Sequence, residues 1–178
     1  MTLFKGETVL DLGSGAGFDV FQAARKIGPE GLAIGVDMSE EMLKRARRNA
    51  DKSSLSNVKF VQAPITDIPL DSSSVDCVIS NCVINLLDPT QKQVCFAEVY
   101  RLLRPGGRLA VSDILARKAL PDALRNDMGL YVGCISGASL ASETEVWLKE
   151  AGFKGTSGPV RQFKYLLTFT RYHDCEEG

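Results

Sequence analysis

Cys82 stands in the stretch Ser80-Asn81-Cys82-Val83-Ile84-Asn85-Leu86, where the apolar run from Val75 to Ser80 gives way to a turn. A buried strand that ends there delivers a thiol, a soft nucleophile or a soft ligand, to the strand edge where α/β enzymes keep their chemistry. Cys134 lies in a second stretch rich in small residues, Tyr131-Val132-Gly133-Cys134-Ile135-Ser136-Gly137-Ala138, placed to fold over the same edge. Two thiols can thus converge on one pocket, although a cysteine taken singly is more often packing than chemistry. Cys77 within the strand and Cys95 among apolar helix neighbours read as small core hydrophobes that tolerate alanine or serine. The single histidine, His173, sits near the end of the chain, so neither a histidine-based metal site nor a Ser-His-Asp triad is supported.

A second constellation precedes these thiols. Asp11-Leu12-Gly13-Ser14-Gly15-Ala16-Gly17 is an acidic residue followed by a GxGxG loop. Glycines are required where backbone turns sharply or must approach a ligand closely. Asp37 ends the next apolar run, at about the separation that places a carboxylate against two ribose hydroxyls. Loop and acid together indicate an adenosine ligand. A dinucleotide fingerprint wants GxGxxG, whereas position 18 is Phe and the third glycine comes one residue early, which disfavours a pyrophosphate.

The elements that must position these groups follow from periodicity. Thr8 to Leu12 is a buried strand ended by Gly13; Val20, Ala23, Ala24 and Ile27 fall on one helical face, stopped by Gly28-Pro29. Leu32 to Asp37 gives a second strand. Ser39 then caps a helix with Glu40 and Glu41 in its first turn, with Met42, Leu43 and Ala46 facing inward and Lys44, Arg45, Arg47 and Arg48 facing water. Val58 to Ala63 alternates as an edge strand and Val75 to Ser80 is the fourth strand, with Asp67 and Asp71 to Ser74 in the connection between them. A helix is predicted over Gln91–Leu103, a fifth strand over Arg108–Asp113, a helix over Ser142–Ala151, and a last strand, read as antiparallel, over Phe163–Tyr172. Strands alternating with helices imply right-handed crossovers and a mostly parallel, doubly wound α/β sheet with helices on both faces.

Composition narrows the partners. The chain has 178 residues, enough for one domain over 1–178, with a core of about 5–153 and an extension from 154. Hydrophobic residues make up 44% and charged residues 24%, values of an ordinary globular protein, and the net charge of −1 lacks the field that would gather nucleic acid or an anionic membrane. The expected partner is a small molecule, with no nucleic acid and no membrane. Five cysteines at irregular spacing, with no CxxC pair, argue for reduced thiols and a cytoplasmic protein.

Asp11 to Gly17, the acidic end of the second strand, and Leu103-Arg104-Pro105-Gly106-Gly107 before the fifth strand resemble class I S-adenosylmethionine-dependent methyltransferases, whose fold is Rossmann-like, from about residue 5 to 153. That resemblance implies that Asp11, Gly13, Gly15 and Gly17 line the methionine end, Asp37 binds the ribose and Met38 packs on adenine. It also puts Asp67 near the adenine amine and Asn81 beside the sulfonium. Within that superfamily, the stretches around Cys82 and Cys134 look like the arsenite methyltransferases. The resemblance implies that both cysteines are thiolate ligands of trivalent arsenic, a thiophilic metalloid. Binding through sulfur leaves the arsenic lone pair to attack a methyl group, with no general base required.

The sequence departs from that family in two places. Its members have a substantial N-terminal region with helices that close over the cofactor and at least one more arsenic-binding cysteine, whereas this chain begins a few residues before Thr8. It also stops early after Phe153, and Cys175 matches no family position. The expectation is a short form with two thiols, suited to a methylarsenical with two exchangeable ligands; arsenite would need a third thiol from glutathione or another small thiol, which could also serve as reductant. Two readings compete: a methyltransferase of another small molecule in which both cysteines are incidental, and a non-catalytic methyltransferase-like binding module.

Overall fold

The structure is a computed structural model that describes residues 2–116, 118 and 137–154, with the backbone of 155–157, 160–161 and 164–170. Cys134 and Cys175 lie outside the described residues. Five strands alternate with helices: β1 Thr8–Leu12, α1 Phe18–Ile27, β2 Leu32–Asp37, α2 Glu40–Ser53, β3 Val58–Gln62, β4 Val75–Asn81, α3 Pro89–Leu102 and β5 Leu103–Asp113. Helix α4 spans Ala141–Glu150, followed by β6 Lys154–Ser157, β7 Val160–Arg161 and β8 Lys164–Thr170.

The sheet order is β3-β2-β1-β4-β5-β8-β6, with β7 paired to β8. The first five strands are parallel, and β8 runs antiparallel to β5, with Leu109 opposite Phe169. Sheet order therefore reverses between β1 and β4, and the two loops that leave their carboxyl ends diverge around a crevice. Residues 13–17 leave one strand and Cys82 leaves the other.

Alternation along the strands divides the core. Leu10, Leu12, Val78, Leu109 and Val111 pack with Phe96 and Val99 of α3 and Leu148 of α4, whereas Val9, Ala33 and Cys77 meet Val20, Ala23, Ala24 and Ile27 of α1. Each such aliphatic side chain contributes about 1.5–3 kcal/mol by leaving water. Helices lie on both faces, as a doubly wound sheet requires. Among the described residues no helix is long and apolar enough to cross a membrane.

Several boundaries differ from those predicted. Helix α3 starts at Pro89 because Asp88 caps it, its carboxylate accepting from the Gln91 amide at 2.9 Å, and proline is preorganised for a first turn. Strand β5 starts at Leu103, not Arg108: Leu103 pairs with Val75, and the Pro105–Gly107 stretch forms an irregularity within the strand before pairing resumes at Cys77 and Arg108. Met42 is exposed, because the inward row of α2 is Leu43, Ala46 and Ala50, and one residue turns the helix by about 100°. Strands β6 and β7, which no periodicity announces, flank β8.

Candidate active site

The loop after β1 is built from glycines with positive φ: +64° at Gly13, +51° at Gly15 and +92° at Gly17. Ser14 donates its amide to the Val36 carbonyl at 2.9 Å and Gly17 to the Ser14 carbonyl at 2.9 Å, which curls the loop against β2. A Cβ on Gly15 would meet no atom within 4 Å, so this part of the loop faces open space that a ligand can fill. Asp37 fastens the loop: its carboxylate accepts from the Gly15 amide at 2.8 Å and from the Ser39 amide at 2.8 Å. Two acceptor oxygens carry about four lone-pair sites, so capacity remains for ligand hydroxyls.

Beside the loop, Asp11, Asp19, Ile79, Ser80, Asn81, Ala110 and Ser112 line a cleft of about 230 Å³. Asp11 is 4% exposed. Burial raises its carboxyl well above the usual range, and the charges of Asp19 and Asp37 push it further. Asn81 Nδ2 lies 3.5 Å from Asp19 Oδ2. Three carboxylates at one strand edge make a site that a cation relieves, because a positive group beside Asp11 offsets both its burial and its like-charged neighbours. The hydroxyls of Ser14 and Ser80 are buried and lack a hydrogen-bond partner among the described residues.

Cys82 follows Asn81 directly and is exposed. Its φ is +55°, a left-handed conformation in a residue with a Cβ, which costs about 1–2 kcal/mol. Its amide donates to the Ser112 carbonyl at 3.0 Å, so the strained residue is tied to β5. Ser54 (φ +53°) and Ser73 (φ +54°) share this conformation; what distinguishes Cys82 is that its exposed thiol follows the cleft residue Asn81. Cys77 and Cys95 are fully buried, and burial pushes both thiols up to about 12, which leaves them as core residues. Among the described residues no cluster of His, Cys, Asp and Glu is suited to a metal ion.

The structure thus brings Asp11, Gly13, Gly15, Gly17, Asp37, Asn81 and Cys82 to one strand edge. Met38 is exposed beyond Asp37, its carbonyl accepting from Gln62 Nε2 at 3.2 Å; Asp67 is exposed in the connection after β3, and neither lines the cleft. Sequence reasoning missed Asp19, Ser80 and Ser112. Asp19 had a signal, an acidic residue in the first turn of the helix that the glycine loop opens.

The family model of the methyltransferase domain matches residues 3–152. An arsenite methyltransferase from Halobacterium salinarum is 49% identical over 149 residues, which are 84% of this chain and 38% of that protein. The human arsenite methyltransferase is 34% identical over 154 residues, 82% of this chain and 40% of its own length. The chain spans about two fifths of the length of these curated relatives. A crystal structure of an arsenic(III) S-adenosylmethionine methyltransferase from Chlamydomonas reinhardtii has a TM-score of 0.78 at 30% identity, over 95% of this chain and 64% of that one.

Proposed function

The chain belongs to the methyltransferase domain family, with the Rossmann-like fold of class I S-adenosylmethionine-dependent enzymes, and from that premise we propose that it methylates trivalent arsenic held by thiols. The observation that carries this reading is Cys82, an exposed thiol held in a strained conformation immediately after the cleft residue Asn81. The relatives named for arsenite methylation support the same substrate.

The residues present fit S-adenosylmethionine. Gly15 leaves room for a ligand, Asp37 has acceptor sites to spare, and the acidic cleft suits a ligand with a sulfonium and an ammonium. When bound, it supplies a methyl group on a positively charged sulfur. In this reading Asp11, Gly13, Gly15 and Gly17 hold the methionine end, Asp37 the ribose, Met38 the adenine face, Asp67 the adenine amine, and Asn81 the surroundings of the sulfonium.

Cys82 and Cys134 bind the arsenical. Each thiol replaces a hydroxyl on arsenic, its proton leaving with that hydroxyl as water, so methylarsenite takes both cysteines and arsenite needs one more thiol, supplied by glutathione or a similar small thiol. Sulfur ligation leaves the arsenic lone pair uncommitted, and that pair carries no proton, so these residues bind and orient without acting as bases. Thiol chemistry of this kind belongs in the reducing cytoplasm. The test is methyl transfer from labelled S-adenosylmethionine to methylarsenite with reduced glutathione, comparing wild type with the Cys82→Ser, Cys134→Ser double variant. Product from wild type alone is expected; equal product from both, or none from a wild-type preparation shown to bind the cofactor, overturns the reading.

A further inference from the structure

Asp113 ends β5 with a carboxylate that is 2% exposed, one residue after Ser112 of the cleft and on the opposite face of the sheet. Its partners lie in the turn that follows Cys82. Oδ2 accepts from the Asn85 amide at 3.2 Å, and Oδ1 accepts from Asn85 Nδ2 at 2.8 Å and from the Ile114 amide at 3.0 Å. Asn85 Nδ2 also donates to the Ile114 carbonyl at 2.7 Å. Both protons of one carboxamide nitrogen are therefore engaged at the end of β5.

The oxygen of that carboxamide meets Lys92, which is 3% exposed on α3. Lys92 Nζ lies 3.4 Å from Asn85 Oδ1 and donates to Ser139 Oγ at 2.7 Å and to the Gly137 carbonyl. An ammonium only donates, so it keeps the carboxamide oxygen toward itself and Nδ2 toward Asp113. Its charge also offsets the burial of the Asp113 carboxylate. A buried ion pair is often no more stabilising than apolar side chains of the same volume, so core stability does not account for this one. Asn85, Lys92, Asp113 and Ser139 border a space of about 20 Å³, room for a water and too small for a substrate.

What these groups hold is the turn itself. Cys82 has a φ of +55°, and such a conformation persists only where the surrounding structure over-determines it. One tie stands at its start, the Cys82 amide on the Ser112 carbonyl at 3.0 Å. The other is Asn85 on Asp113, three residues on. Two adjacent residues of β5 thus grip both ends of the stretch from Cys82 to Asn85. Asn81 and Ser112, which pair beside the first tie, line the cleft.

We infer that Asp113, with Asn85 oriented toward it by Lys92, is a positioning residue that fixes the Cys82 thiol relative to the cofactor cleft. This rests on the reading of Cys82 as a ligand of trivalent arsenic. Asp113 touches neither substrate nor cofactor. Transfer depends on the distance and direction from a sulfur-held arsenic to the methyl group, and a displacement of about 1 Å can cost about a hundredfold in rate. Binding of the arsenical to a thiol, and of the cofactor to its loop, lacks that sensitivity.

The experiment compares wild type with the double variant Lys92→Met, Asp113→Asn, which removes both charges together, and with Asn85→Ala and Cys82→Ser. It reads hydrogen exchange at individual amides, kcat and KM for methyl transfer to methylarsenite, and S-adenosylmethionine affinity. In the double variant the Cys82 and Asn85 amides are expected to exchange about tenfold faster, as local opening of the turn would allow. The amides of Ser14 and Gly17, bonded at the glycine loop, are expected to keep their rates. The kcat is expected to fall about tenfold to a hundredfold, with KM and cofactor affinity unchanged. A purely structural pair would speed exchange throughout and leave kcat per folded molecule as it was. Unchanged exchange at Cys82, or unchanged kcat, in the folded double variant overturns the inference. Should that variant not fold, Asn85→Ala decides by the same readouts, since Lys92 keeps its two other acceptors there. Cys82→Ser separates the two readings. Turnover retained in it overturns the arsenic-ligand role and this inference with it; turnover lost in it, with wild-type kcat in the double variant, overturns the positioning role alone.

Discussion

Gly13 and Val83 are packed so closely that a Cβ on Gly13 would lie 2.5 Å from Val83 Cγ2 and 2.9 Å from Val83 Cβ. Val83 is the residue after Cys82, so the glycine loop and the thiol turn touch, and a shift in one displaces the other. Gly13→Ala carries two penalties, the steric overlap and a φ of +64° that alanine rarely adopts. We expect it to destabilise the fold by about 2–4 kcal/mol, from overpacking of about 1–3 kcal/mol and about 1 kcal/mol of backbone strain. Adding Val83→Ala to Gly13→Ala should restore part of that loss. A double-mutant cycle by urea unfolding checks this; strictly additive effects would show that the two segments are not coupled.

In the proposed function Asp11 opposes stability with ligand binding. Its carboxyl is raised by burial and by Asp19 and Asp37, so the folded state holds this proton more tightly than the unfolded chain does. A group raised in this way contributes its full stability below the unfolded carboxylate pKa, and loses it as pH rises through the folded value. At neutral pH the ionised Asp11 therefore costs stability in the protein without ligand. Asp11→Asn should melt higher than wild type at pH 7, with the difference shrinking toward acid. The same variant should bind S-adenosylmethionine about tenfold to a hundredfold more weakly, the scale of a lost charge-assisted contact. Paired melting curves across pH and calorimetric titrations at pH 7 test both halves.

Much of this site was legible in the sequence because its parts are local. The loop from Asp11 to Gly17 and the carboxylate of Asp37 are each written within a few residues, and each stands at the carboxyl end of a strand in a parallel sheet, which fixes the end they reach. Lys92, 3% exposed on α3, was not read from the sequence, because helical periodicity does not say what a buried cation meets. Its partners Asn85, Gly137 and Ser139 come from two separate stretches, and only the completed fold brings them to it. Asp19 joined the cleft for the same reason: its partner Asn81 lies 62 residues away in the chain. Strand β5 began early because Leu103 pairs with Val75, an interaction that local turn chemistry at Pro105-Gly106-Gly107 hides.

The thiols should separate by reactivity. Cys77 and Cys95 are fully buried and held up to about 12, so the thiolate that attacks an alkylating agent is scarce at neutral pH and inaccessible as well. Cys82 is exposed. Brief treatment of the folded protein with iodoacetamide at pH 7.5, followed by peptide mass spectrometry, should label Cys82 while Cys77 and Cys95 react only after denaturation. Alanine at Cys95 should cost about 1 kcal/mol, the loss expected for a small buried side chain, and leave methyl transfer intact. Fast labelling of Cys77 in the native state would mean that the sheet opens beside β1.

Asp37 holds the glycine loop and, in the proposed function, also binds the ribose, and substitution can separate the two roles. In the protein alone its carboxylate accepts from the amides of Gly15 and Ser39, so it holds the glycine loop before any ligand arrives. The Gly15 amide should therefore be protected from hydrogen exchange without cofactor, and Asp37→Ala should remove that protection. Asp37→Asn keeps one carbonyl acceptor and can hold one of the two amides, but it offers ribose hydroxyls a weaker, uncharged acceptor. We expect cofactor affinity to fall about tenfold in Asp37→Asn and about a hundredfold in Asp37→Ala, the scale of one and two charged hydrogen bonds. Exchange at Gly15 should stay slow in Asp37→Asn and become fast in Asp37→Ala. If both variants lose affinity equally while Gly15 remains protected in each, the carboxylate acts on the ligand alone and the loop holds its shape through Ser14 and Gly17.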